Sequence, residues 1–197
     1  MLFFFDVNGL LLFSRKTEKS AEKSPVILEK NGCMLYNRIM TIHPFPPIYD
    51  HSSKTLILGS FPSVVSREVS FYYGNPRNRF WSVLSEVFGE PFPKTVKEKE
   101  SLVLSRGLAL WDVIKSCDIT GSADGSIKNA EVNDIASFVN GSKIDRIFIN
   151  GKTAAKLYDR FCSKIISVKS VVLPSTSPAN AAFSLEDLVE KWKIIAL

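Results

Sequence analysis

Short apolar runs alternate with longer stretches of helical spacing along most of the chain. Thr55 to Leu58 (TLIL) is apolar and ends at Gly59-Ser60, which predicts a buried strand followed by a loop. From Asn78 to Phe88 (NRFWSVLSEVF), Phe80, Trp81, Leu84, Val87 and Phe88 recur at helical spacing, with Asn78 placed to act as N-cap. Thr95 to Ser105 reads as a charged helix, Leu108 to Ile114 (LALWDVI) as a strand and Glu131 to Val139 as a helix. Ile144 to Asn150 (IDRIFIN) then reads as a strand, Thr153 to Phe161 as a helix, Val168 to Leu173 as a strand, and Leu185 to Leu197 as a closing helix. Such alternation predicts an α/β fold with a mostly parallel sheet and helices on both faces. Ligands of such folds sit at the carboxyl ends of the strands, which singles out the loops after Leu58, Ile114, Asn150 and Leu173. Ahead of the first strand, the proline-rich HPFPPIYD (His43 to Asp50) can be neither helix interior nor central strand and is expected to lie extended over the surface.

The amino-terminal region breaks this pattern. Met1 to Phe13 (MLFFFDVNGLLLF) is apolar but interrupted by Asp6 and Asn8, and is shorter than the ~20 residues a membrane-spanning helix needs. Arg15, Lys16 and Lys19 follow the apolar run instead of preceding it, which argues against a secretory signal. Ser14 to Gly32 is polar and of mixed charge, the composition of a solvated linker. We therefore read residues 1–39 as an appendage and 40–197 as the functional domain. Met34 and Met40 precede that domain, so an over-extended start and a functional tail are both open explanations of the appendage.

Composition narrows the class. A chain of 197 residues is one domain's worth, and 45% hydrophobic against 23% charged residues excludes wholesale disorder and fibrous repeats. Cys33, Cys117 and Cys162 are few, scattered and without a C-x-x-C pair. That pattern disfavours a disulfide scaffold, a zinc ribbon and an iron–sulfur cluster, and favours a reducing compartment. A net charge of +5 is mild for a nucleic-acid binder, unless Arg67, Arg77, Arg79, Lys152 and Lys156 concentrate it at one place.

Three loops carry candidate chemistry. Gly59 to Trp81 (GSFPSVVSREVSFYYGNPRNRFW) interleaves aromatic rings with arginines, a mixture suited to stacking on bases and holding phosphate. Phe80 and Trp81 fit the core, whereas Tyr73, beside Gly74 and the Asn75-Pro76 turn, is the better candidate for contact with a base. Leu173 to Ala181 (LPSTSPANA) is a tight polar turn that either presents backbone N–H groups to phosphate or simply caps the last helix. Gly151-Lys152-Thr153 suggests a phosphate-binding loop, but the position needing its first glycine is Arg146, so we reject it.

Taken together, GSFPS, YYGNPRNRFW, LWDVI and LPSTSPANA resemble the uracil-DNA glycosylase superfamily, and within it the DNA-deoxyinosine (hypoxanthine-DNA) glycosylases, from about His43 to the carboxyl terminus. The resemblance implies a three-layer α/β/α sandwich with a mostly parallel central sheet. It also implies hydrolysis of the N-glycosidic bond of a deaminated base, hypoxanthine foremost, as the first step of base excision repair. The implied partner is damaged DNA, with no cofactor, no metal and no membrane, and the protein is expected to be a cytoplasmic monomer. Asn78 is the implied catalytic residue, and Gly59, Ser60, Phe61 and Tyr73 the implied base pocket, with Tyr73 as the stacking ring. Ser63, Arg77, Ser175, Thr176, Ser177, Ala179 and Asn180 are the implied DNA contacts: Ser175 and Ser177 grip flanking phosphates, and Ala179 and Asn180 stand where relatives insert a wedge.

Departures from the pattern matter as much. Phe61 replaces the asparagine with which mismatch-specific relatives hold the attacking water, and Ser175 replaces the histidine that opens the late motif in many uracil glycosylases. Asn75-Pro76 stands where those mismatch-specific relatives carry His-Pro. Neither His43 nor His51 falls in a matching motif, so neither is given a catalytic role. Such an enzyme must flip its nucleotide out of the duplex and stabilise charge building on sugar and base. Two other readings stay open: a glycosylase specific for uracil or mismatched thymine, and a non-catalytic module that binds lesions.

Overall fold

The computed structural model describes residues 2–5, 11–14, 26–30, 33–37 and 40–197. The chain divides into two compact units, Met1–Thr41 and Ile42–Leu197. In the first, β1 (Leu2–Phe5), β2 (Leu11–Ser14), β3 (Val26–Lys30) and β4 (Cys33–Asn37) form an antiparallel sheet in sequential order. Val26–Lys30 is therefore strand, where composition suggested solvated linker; each of its residues pairs antiparallel with one of Cys33–Asn37. Most of the remaining linker segment lies outside the described residues.

At the junction of the units lies the short strand β5 (Thr41–Ile42), and the second unit is built on β6 (Thr55–Gly59), β7 (Leu108–Asp112), β10 (Arg146–Asn150) and β11 (Ser170–Leu173). These four are parallel, in the order β11-β10-β6-β7. Successive side chains on a strand point to opposite faces, and the packing follows that period. Leu56, Leu58, Ala109, Ile147 and Ile149 pack on one face with Ile135, Val139, Ala154 and Tyr158. Ile57, Leu108, Leu110 and Phe148 pack on the other with Phe80, Trp81, Leu84, Val103, Leu188 and Trp192. The first layer of helices is thus α4 (Ile135–Asn140) and α5 (Lys152–Phe161), and the second α2 (Phe80–Phe88), α3 (Val96–Ser105) and α6 (Leu185–Trp192). This is the expected three-layer sandwich.

Local chemistry sets the helix ends. Thr95 and Glu98 form a capping box at the start of α3, Ser184 and Asp187 another at α6, and Gly89 in the left-handed region ends α2. Two expectations are corrected. Leu108 to Ile114 is two strands, because the chain leaves the parallel sheet after Asp112 and starts β8 (Ile114–Asp118) in a second sheet, ordered β5-β8-β9. The first part of the helix expected over Glu131 to Val139 is strand: β9 (Lys128–Val132) pairs antiparallel with β8, and Asp134 caps the helix only from Ile135 onward. A short helix, α1 (Val64–Glu68), also lies inside the long connection after β6. The proline-rich segment is extended as expected, but it joins the edge of the parallel sheet through an antiparallel bridge between Ile48 and Leu110.

Candidate active site

The strand order reverses between β6 and β10, and a cavity of about 260 Å³ opens there, at the carboxyl ends of the strands. Period two places Gly59, Asp112 and Asn150 on the sheet face of Ile57, Leu110 and Phe148, under α2. All three line the cavity with the GSFPS turn, Tyr73, Asn78 and the Ser175–Ala179 loop.

Gly59 and Asp112 are register partners, and a Cβ on Gly59 would lie 2.2 Å from Asp112 Oδ1. Any side chain at position 59 therefore collides with the carboxylate, so the glycine is required by close approach. The other carboxylate oxygen, Oδ2, pairs with His43 Nε2 at 2.9 Å, with both side chains almost fully buried. The His43 ring is surrounded by the edges of Phe45, Phe61 and Tyr72. A second carboxylate, Asp124, comes from the loop after β8 and accepts from Ser60 Oγ at 2.7 Å. Burial pushes the Asp124 carboxyl above its ordinary range; the Ser60 hydroxyl opposes that and the Asp112 charge adds to it.

Tyr73 stacks on Phe80, with centroids 3.7 Å apart and planes at 14°. Its backbone is in the left-handed region at φ 51, rare for a bulky residue. The stack on Phe80 and a hydrogen bond from Asn150 Nδ2 to its hydroxyl at 3.2 Å hold it there. Tyr73 is thus a cavity wall braced by the core, and burial raises its phenol well above the ordinary range. Asn78 is not the formal N-cap of α2, which is Arg79, but its Oδ1 accepts from Phe80 N–H at 3.0 Å. That bond fixes the amide, with its NH2 group without a partner among the described residues at the cavity wall.

Several residues expected to touch DNA make hydrogen bonds that hold the site together. Thr176 is fully buried; its N–H donates to Asn150 Oδ1 and its Oγ1 accepts from Asn150 Nδ2, both at 3.0 Å. Ser177, Ala179 and Asn180 spend their backbone N–H groups inside the turn, on Ser175 Oγ, Ser177 Oγ and Ser177 O. The turn is therefore self-capped through the N–H groups of Ser177, Ala179 and Asn180. Asn180 Nδ2 is likewise committed, to Ser175 O, while Ala179 stays exposed at the rim. Arg79 is committed within the protein: its guanidinium donates to Phe183 O, to Ser177 O at 3.0 Å and to Asn180 O at 2.8 Å. Arg67 similarly spans Pro62 O and Gly121 O, whereas Arg77, Lys152 and Lys156 are exposed. Ser63 lines the cavity and caps α1 through Ser66 N–H. Phe61 is buried among core residues with one edge on the cavity.

His43, Asp112, Asp124 and Asn150 are cavity or cavity-supporting residues that the sequence pattern did not single out. Asp112 and Asn150 carried a readable signal, since each is the polar residue that closes an apolar strand run. His43 and Asp124 sit in irregular segments with no such signal. Among the described residues no group of three or more His, Cys, Asp or Glu side chains could hold a metal, and no helix is long and apolar enough to cross a membrane.

Comparison with known proteins bears on this geometry. Residues 46–196 match the family model of the uracil DNA glycosylase superfamily. A hypoxanthine DNA glycosylase of Methanosarcina acetivorans is 34% identical over 153 residues, covering 77% of this chain and 95% of the relative. One from Methanosarcina barkeri is 32% identical over 150 residues, covering 75% and 93%. The solution NMR structure of a candidate uracil DNA glycosylase from Methanosarcina acetivorans superposes with a TM-score of 0.66 at 31% identity, covering 78% of this chain and 97% of that one. With a matched model over most of its length and a site at the expected strand ends, this chain belongs to the uracil DNA glycosylase superfamily.

Proposed function

We propose that the protein is a DNA glycosylase that removes hypoxanthine from damaged DNA by hydrolysing the N-glycosidic bond. The observation that carries the reading is the cavity at the strand ends, where a fixed amide donor, Asn78, and two carboxylates converge on a space walled by aromatic rings. The names of the Methanosarcina relatives direct the choice of base. In this account a flipped nucleotide enters between the GSFPS turn and the Ser175–Ala179 loop. Gly59, Ser60 and Phe61 surround the base, Tyr73 supplies a ring, and the Asn78 NH2 donates to the purine as it gains negative charge. At the cavity mouth, exposed Arg77 and the Ser175 and Ser177 hydroxyls meet the phosphates, and Ala179 at the rim fills the vacated stack as a small wedge. The protein acts as a monomer in the cytoplasm.

The experiment is base release from labelled duplexes carrying hypoxanthine, uracil, xanthine or a G:T mismatch. The reading predicts hypoxanthine as the fastest product. Preferential release of uracil or thymine would replace the substrate, and lesion binding with no release from any duplex would replace the catalyst with a binding module.

A further inference from the structure

Hydrolysis of a glycosidic bond needs an acceptor for the proton of the attacking water, and most acceptors in the cavity are already engaged. Asn78 Oδ1 takes the Phe80 N–H, Asn150 Oδ1 the Thr176 N–H and Asn75 Oδ1 the Arg77 N–H. Asp124 Oδ2 accepts from the Ser60 hydroxyl, and burial raises the pKa of its carboxyl. Asp112 differs. One of its oxygens is held by His43, and the other lies over the bare Cα of Gly59 with no hydrogen-bond donor among the described residues.

On the reading that the protein is a glycosylase, we infer that Asp112 is the catalytic residue that orients and deprotonates the attacking water, and that His43 is the positioning residue that fixes the carboxylate. His43 precedes the span matched by the family model, which starts at residue 46, and it reaches the site only because the proline-rich segment packs beside β7. That segment is pinned by His43 N–H to Lys115 O at 2.8 Å, by the Ile48–Leu110 bridge and by Tyr72 Oη to Pro46 O at 3.1 Å. In the reaction a bond forms between the water oxygen and C1′, the C1′–N9 bond breaks, and its electron pair leaves on the purine. The water proton passes to Asp112 Oδ1. Asp112 then returns it to solvent, and the departing purine takes one up, so the sum is water added across the bond. The groups that face Asp112 are His43 from the proline-rich segment, Tyr72 and Tyr73 from the connection before α2, and Asp124 from the loop after β8. Burial of both phenols raises their pKa values far above neutrality, so they stay uncharged across the acid-to-neutral range.

The test is single-turnover hypoxanthine release across an acid-to-neutral pH series, with parent, Asp112→Asn, Asp112→Ala, His43→Gln and His43→Phe proteins, and binding of an abasic-site duplex as control. The parent rate is expected to fall on the acid side, as for any reaction that needs an ionised general base. Asp112→Asn loses about 100-fold or more at neutral pH and loses that acid limb, with binding changed by less than about threefold. Added formate restores part of the Asp112→Ala rate. His43→Gln, which keeps a donor near Oδ2, retains more activity than His43→Phe, and His43→Phe shifts the acid limb. An Asp112→Asn rate within about threefold of parent overturns the proposal, and so does a uniform slowing that keeps the acid limb and gives no formate rescue. A parent protein that releases no base overturns the glycosylase reading on which the proposal stands.

Discussion

At the scale of single residues, the site is defined by what cannot be changed without moving a neighbour. Gly59 is the sharpest case: Gly59→Ala places a methyl group 2.2 Å from Asp112 Oδ1, and the strand, buried throughout, cannot yield. Overpacking of this kind costs on the order of 1–3 kcal/mol, and here it also displaces the carboxylate. We expect Gly59→Ala to lower the urea midpoint and to lower single-turnover rate by more than about tenfold; full activity with parental stability would contradict the packing described. Asp124 offers a test of electrostatics. Burial raises its folded-state pKa, so the folded chain binds this proton more tightly than the unfolded chain does. Stability from this group is fully present below the unfolded-state pKa and is lost as pH rises through the folded-state value. Asp124→Asn removes the loss, so the variant melts above the parent at neutral pH and gains nothing at about pH 3. A gain of equal size at both pH values would show that proton linkage is not its source.

Among the elements, the connection between β6 and α2 and the loop after β11 behave as one clamp. Arg79 ties them through the carbonyls of Ser177, Asn180 and Phe183, and Asn150 ties Thr176 and Tyr73 to the end of β10. Arg79→Met leaves those carbonyls without their charged donor, and we expect a loss of about 3 kcal/mol in denaturant unfolding. A loss below about 0.5 kcal/mol would mean that the clamp does not hold the loops. Arginine in a motif that resembles a DNA-binding one invites a phosphate role, and sequence carries no information on which carbonyls will surround it. The same holds for Thr176, where a hydroxyl turn reads alike whether it faces solvent or Asn150. Elements with strong periodicity were legible: β6, α2, α3, β10 and α5 lie where their apolar spacing puts them. The region from Ile114 to Val132 was not, because β8 and β9 form an antiparallel pair whose register shifts blur alternation, and the Asp134 cap falls inside the stretch that looked helical.

Over the whole molecule, the strand order β11-β10-β6-β7 explains why residues distant in sequence meet. Gly59, Asp112, Asn150 and Ser175 each follow or end a parallel strand, and the reversal between β6 and β10 leaves the crevice they share. Fold class and the location of the site were legible from alternation alone, whereas the His43–Asp112 contact depends on how an irregular proline-rich segment packs, which no periodicity encodes. We propose that residues 1–39 are an appendage to this domain. A chain beginning at Met40 should then melt cooperatively and keep single-turnover activity within about threefold of the full chain; an insoluble or inactive product would make the first unit part of the catalytic domain. The central claim, a hydrolytic pocket in which the Asn78 amide serves the departing purine, is tested most directly by single-turnover hypoxanthine release from parent and Asn78→Ala proteins side by side, with duplex binding measured on the same samples. The account predicts that Asn78→Ala slows release by more than about tenfold while binding changes by less than about threefold. Equal rates for the two proteins would contradict it.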